Sequence, residues 1–128
     1  MKKIGIALAL VLAVGCMSMT PQDKAVTSVK GYVRLMLSYM GKDYEPYDFG
    51  TIEPIYLSDG SDLIGYSIDH RYYSSTPKTP DNLHYGRYYL TPKFRVVHSG
   101  GTLSQPEERL DSVGREKLKE AYMEDIRP

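Results

Sequence analysis

Apolar residues recur at helical spacing most regularly in one stretch: Val26, Val29, Val33, Met36, Leu37 and Met40 form a single stripe, with Lys24, Lys30, Arg34 and Ser38 off it. Thr20-Pro21-Gln22-Asp23 supplies a start, with Thr as N-cap, Pro at the first helical position and an acid in the first turn; Gly41 supplies the stop. Beyond Gly41 the period changes to two. Tyr44 to Leu57 is aromatic and β-branched but carries Pro46 and Pro54, which predicts an irregular edge strand. After a polar turn at Ser58–Asp62, Ile64, Tyr66, Ile68, His70 and Tyr72 alternate with Gly65, Ser67, Asp69 and Arg71, the pattern of a strand with one apolar face. Ser74–Asn82 reads as a loop, His84–Thr91 as a second good strand, and Phe94–His98 as a short final strand after a Thr91-Pro92-Lys93 turn. Ser99-Gly100-Gly101 should break the sheet. The tail from Ser104 to Ile126 is charged, and its ragged apolar residues, with Gly114 among them, predict a helix of marginal stability.

An α+β fold follows, with the N-terminal helix packed on a three- or four-stranded antiparallel sheet and a charged C-terminal helix at the periphery. The helix stripe is expected against Ile64, Tyr66, Ile68, Tyr88 and Leu90. Residues 21–98 would form this domain and residues 99–128 a charged helical tail.

The N-terminus reads differently. Met1-Lys2-Lys3 precedes an almost unbroken apolar run from Ile4 to Val14, then Gly15-Cys16: a positive n-region, a short h-region and a small residue at a cleavage point. The run is shorter than the ~18 residues a permanent span needs. Leu12-Ala13-Val14-Gly15-Cys16 resembles the lipobox of bacterial lipoproteins, with Ala13 where Leu is commoner. That resemblance implies cleavage of residues 1–15 as a signal peptide and acylation of Cys16 (palmitate among the chains). Cys16 is the sole cysteine, so no intrachain disulfide can form in an oxidising compartment. Loss of Lys2 and Lys3 leaves 14 basic against 16 acidic residues, a formal charge of −2. A nucleic-acid partner is disfavoured by that balance, as is a polybasic hold on anionic lipid. Attachment to the membrane falls to the acyl chains on Cys16, through a tether over residues 16–20 that spans at most ~18 Å. Met17 after the acylated cysteine implies, by the same resemblance, the outer membrane, and the domain is expected to face the periplasm.

Three segments resemble a group of short lipoproteins of Gram-negative gut anaerobes: Tyr44-Glu45-Pro46 with Phe49-Gly50 after a helix, the strand Gly65–Tyr72, and Gly86-Arg87-Tyr88-Tyr89-Leu90 before a last strand. The likeness covers roughly residues 24–98. It implies the same fold and address, and the group carries no assigned activity to transfer.

Candidate chemistry is sparse. His70, His84 and His98 lie 14 residues apart at each step, unlike zinc ligands, and no metal or cofactor is expected. Asp69 and His70 are strand neighbours that point to opposite faces, so the one cannot orient the other, and no Gly-x-Ser-x-Gly segment is present. Asp59 and Asp62 are too few for a calcium loop. Tyrosine stands out: nine of twelve lie between Tyr44 and Tyr89. Strand propensity and packing account for most of them, but Arg71, Tyr73, Tyr85, Arg87 and Tyr89 fall on one polar sheet face of the composition found at recognition surfaces. These residues predict a non-catalytic binding or assembly module of the cell envelope, with an envelope protein or a glycan as partner. The alternative is a small envelope hydrolase acting on wall or glycan, which needs at least two of Asp48, Glu53, Asp69 and His70 to converge. A third reading is a structural accessory subunit that docks a partner through the charged tail.

Overall fold

The computed structural model describes residues 19–75, 78–100 and 107–127, with side chains from Asp111 onward in the last of these. The expected signal segment, Cys16 and most of the expected tether lie outside the described residues.

Helix α1 spans Pro21–Tyr39 and begins as its sequence dictates. Thr20 Oγ1 accepts from Asp23 N at 3.1 Å while the Asp23 carboxylate accepts from Thr20 N, a reciprocal capping box. The chain turns through Gly41, and Lys42 N donates to Leu37 O at 2.9 Å. Ala25, Val29, Val33 and Leu37 form the buried side. Met40 belongs to the cap and stands exposed, a departure from the expected stripe.

Five strands follow: β1 (Glu45–Phe49), β2 (Glu53–Tyr56), β3 (Leu63–Tyr73), β4 (Leu83–Leu90, after a 3-10 turn at Pro80–Asn82) and β5 (Val96–Gly100). All pairings are antiparallel, in the order β1-β3-β4-β5, with β2 also on β3. The single irregular edge strand expected over residues 44–57 is therefore two. β1 pairs with the C-terminal part of β3 and β2 with its N-terminal part, both on the edge away from β4. An edge tolerates Pro46 and Pro54 because the missing N–H groups can face outward. Gln22 of α1 holds the jog between the two strands, donating to Gly50 O at 2.9 Å and accepting from Ile52 N at 2.8 Å.

The sheet separates two cores. Facing α1, Ile68, Tyr72, Tyr88 and Leu90 pack on Ala25, Val29, Val33 and Leu37. Ile64 does not join them. The pairing of β2 with β3 shifts register between Ile55 and Tyr56, and this local irregularity puts Ile64 in the opposite core, with Ile55, Tyr89 and Leu118. At the other end, Phe94 takes a positive φ of 65° and stacks on Tyr66 at 5.1 Å, and β5 starts at Val96 rather than Phe94. It also runs through Ser99 and Gly100, where a break was expected.

The expected α+β layout holds, and the structure adds how the C-terminal helix sits: α2 (Glu107–Asp125) crosses the second sheet face, with Leu118 fully buried and Ala121 nearly so. Its tail therefore completes the domain instead of projecting from it. Two glycines permit the approach. A Cβ on Gly114 would lie 2.2 Å from the Tyr89 ring, and one on Gly65 would lie 2.2 Å from Leu90 O and 2.6 Å from Leu118 Cδ2. No helix among the described residues is long and apolar enough to cross a membrane.

Candidate binding face

β3 and β4 present Asp69, Arg71 and Tyr73 beside Arg87, Tyr85 and Leu83 on adjoining registers, and β1 adds Tyr47 and Asp48 at the edge. Alternation puts Ile68, His70 and Tyr72 on the α1 side and leaves the charged residues on the α2 side. α2 covers only part of that side.

Where α2 lies, the face is structural. Arg87 donates to Asp69 (Nε–Oδ1 2.6 Å) and to Asp111 of α2 (Nη1–Oδ1 3.0 Å). Tyr89 is fully buried, and its hydroxyl donates to the same Asp111 oxygen at 2.6 Å. Burial and the Asp111 carboxylate both push the Tyr89 hydroxyl pKa up, which keeps it protonated and donating. With a side chain only 13% exposed, Arg87 is a strut between sheet and helix. The expected five-residue face is thus corrected: Tyr89 and Arg87 lie under or against α2 because Gly114 admits the Tyr89 ring beneath the helix.

Arg71, Tyr73 and Tyr85 remain outside the helix footprint, each at least partly exposed. Arg71 clasps the Asp48 carboxylate through Nε (2.9 Å) and Nη2 and stacks over the Tyr47 ring at 5.0 Å. Tyr47 meets Tyr73 edge-on at 5.7 Å and is 55% exposed. Tyr47 is the face residue that sequence reasoning missed; the register shift between Pro46 and Asp48 obscures its alternation. The Arg71 guanidinium lowers the Asp48 pKa, and Asp48 in turn raises that of Arg71. A shallow depression of about 220 Å³ lies beside the pair, bordered by Asp48, Phe49, Gly50, Asp69, His70, Arg71 and Tyr85.

His70 borders the depression, but its side chain is fully buried on the α1 side. Its ring lies on Phe49 (3.8 Å between centroids, 5° between planes), Nδ1 donates to Asp48 O at 2.8 Å, and Nε2 accepts from the Tyr44 hydroxyl at 2.7 Å. Desolvation lowers the His70 pKa and raises that of Tyr44 to about 12, so neutral imidazole and neutral phenol are the stable pair. His84 bonds Ser74 (2.6 Å) and His98 packs by Tyr89 (5.8 Å), so the three histidines do not converge. Asp59 binds Ser61 in a local turn and Asp62 accepts from Tyr122 at 2.6 Å, so both carboxylates of the Ser58–Asp62 turn serve the fold. Among the described residues, no group of three or more His, Cys, Asp or Glu side chains is placed to hold a metal. No family model matches the chain, and neither curated proteins nor solved structures yield a match.

Proposed function

We propose that the chain is an exported bacterial lipoprotein. It is held at the periplasmic side of the outer membrane by acyl chains on Cys16 and works as a non-catalytic binding or assembly module. The ligand-facing surface is Tyr47, Arg71, Tyr73 and Tyr85. One observation carries the binding reading: exposed Tyr47, half-buried Tyr73 and Tyr85 and an exposed arginine stay together on the part of this sheet face that α2 leaves open. Tyr and Arg are the residues that anchor recognition surfaces. Each arginine here is already matched by carboxylates, so the face suits an uncharged polar partner, a glycan or a peptide segment, better than a polyanion.

Hydrolysis is supported less well. Asp48 and Asp69 border the same depression, but Arg71 and Arg87 hold them, and a general acid needs a raised carboxyl pKa where Asp48 has a lowered one. The only imidazole at that border is sealed on the other side of the sheet. A photo-crosslinking residue at Tyr73 tests the reading in intact cells, with one at exposed Glu120 of α2 as comparison. An adduct from position 73 alone, its mass telling glycan from protein, is expected. No adduct, or equal adducts from both positions, would overturn it.

A further inference from the structure

We infer that the outer flank of α1 is a membrane-docking surface, which rests on the lipid bilayer to which the chain is tethered. The inference rests on the lipoprotein reading above for its tether, and on three features of the folded part for the face.

The first is exposed apolar side chains. Ten large ones stand exposed among the described residues, and five of them lie between Met19 and Met40. Tyr32, Leu35 and Tyr39 (37%, 59% and 85% exposed) fall at helical spacing on one flank of α1, with Met40 (58%) at its end and Met19 (37%) just before it. Tyr32 also leans on the sheet, edge-on to Tyr88 at 6.0 Å with its hydroxyl 3.4 Å from Ser99 Oγ, whereas Leu35, Tyr39 and Met40 belong to neither core and form the uncovered part of the ridge. Tyr at such a ridge suits the headgroup level of a bilayer, where a ring can be buried with its hydroxyl wet.

Charge is the second. The processed chain carries a formal charge of −2 and is polarised by layer: α1 holds three basic residues against one acidic, and α2 holds four against seven. The α1 cations lie low on the helix, Lys30 over Phe49 (5.9 Å), Arg34 over Tyr44 (5.6 Å) and Lys24 over Phe94 (5.7 Å). Lys30 and Arg34 line the β1 side of the helix and the ridge lies towards its β5 side, so with the outer face of α1 on the bilayer, apolar groups of one flank can enter the interface while ammonium and guanidinium groups of the other reach anionic headgroups. The α2 layer would be repelled by the same headgroups.

Third is reach. Acylated Cys16 stands five residues before Pro21, at most ~18 Å, while α1 is about 28 Å long. Of the elements described, α1 is the one held next to the lipid. A ridge too weak to bind membranes alone can still dock, because the tether makes its binding intramolecular. With α1 against the bilayer, the Tyr47/Arg71/Tyr73/Tyr85 face, on the other side of the sheet, points away from the membrane.

The chain contains no tryptophan, so single substitutions give unambiguous probes. Full-length chains processed in cells, carrying Tyr39→Trp or Leu35→Trp on the ridge or Met123→Trp on exposed α2, are reconstituted on phosphatidylethanolamine/phosphatidylglycerol vesicles with brominated acyl chains. Flotation of the vesicles reports the anchor, and tryptophan emission reports the docking. The expected result is flotation of all three, with blue-shifted, bromine-quenched emission from positions 35 and 39 and unquenched emission from 123. Flotation with no quenching, or equal quenching at every position, overturns docking while leaving the anchor intact. Failure to float overturns the anchor, and the docking with it.

Discussion

Replacing Gly114 with Ala distinguishes a docked α2 from a peripheral one by the sign of the stability change. On a solvent-facing helix, Gly→Ala stabilises by about 1 kcal/mol through backbone entropy. Here the new methyl would sit 2.2 Å from Tyr89 ring carbons, where carbon atoms need about 3.5–4.0 Å. The ring has little freedom to yield: it is fully buried and its hydroxyl is fixed to Asp111 at 2.6 Å. The helix must therefore lift, which loosens Leu118, a side chain worth ~1.5–3 kcal/mol when fully buried. Overpacking of this kind costs about 1–3 kcal/mol. Set against the gain in propensity, a net loss of about 1–3 kcal/mol is expected. By thermal melting that is a fall of several degrees, since ~1 kcal/mol moves the midpoint of a domain near this size by about 4–8 °C. Urea melts should agree. A Gly114→Ala protein as stable as the parent, or more so, would refute the docking of α2 through this contact.

Other consequences follow from the same packing. Leu118→Ala should cost about 2–5 kcal/mol in a urea melt, against near-neutral effects for a peripheral helix. Arg87→Ala leaves Asp69 and Asp111 facing each other without their shared cation, and should destabilise by about 1–3 kcal/mol, less in high salt. Tyr44→Phe removes the donor to buried His70 Nε2 and should cost about 1–3 kcal/mol by the same measurement. His70 is held below its ordinary pKa of 6.5 by burial, so the unfolded chain binds protons first on acidification. Its contribution is complete above pH 6.5 and is lost as pH falls through that value towards the folded pKa. His98, lowered by burial and Lys117, acts in the same direction. A melting temperature that does not drop between pH 7 and pH 5 would contradict the sealed imidazole.

Much of the first layer was legible in the chain. The Val26–Leu37 stripe, the Thr20 cap and the alternation of Ile68, His70 and Tyr72 announce α1 and its sheet face, because each is a local periodic signal. The second layer was not. Gly114 reads as a helix weakener from propensity alone, and only its place under the Tyr89 ring shows that the missing side chain is what allows contact. Tyr89 and Arg87 alternate correctly onto the polar face, but alternation cannot say which stretch of a face a distant helix will cover. Ile64 departs from the alternation for a related reason, since the irregularity that pairs Ile55 with Gly65 and Tyr56 with Leu63 leaves Ile64 as the extra residue and turns it to the other face. Of the candidate face, Arg71, Tyr73 and Tyr85 follow from the pattern; Tyr47 required the pairing of β1 with β3.

The most direct measurement is the mass of the N-terminal peptide of the protein isolated from cell envelopes. A chain that begins at Cys16 and carries diacylglyceryl on its sulfur is expected, with a Cys16→Ser chain unlipidated and either unprocessed or released to the soluble fraction. A mature N-terminus without lipid, or palmitate labelling that persists in Cys16→Ser, would contradict it.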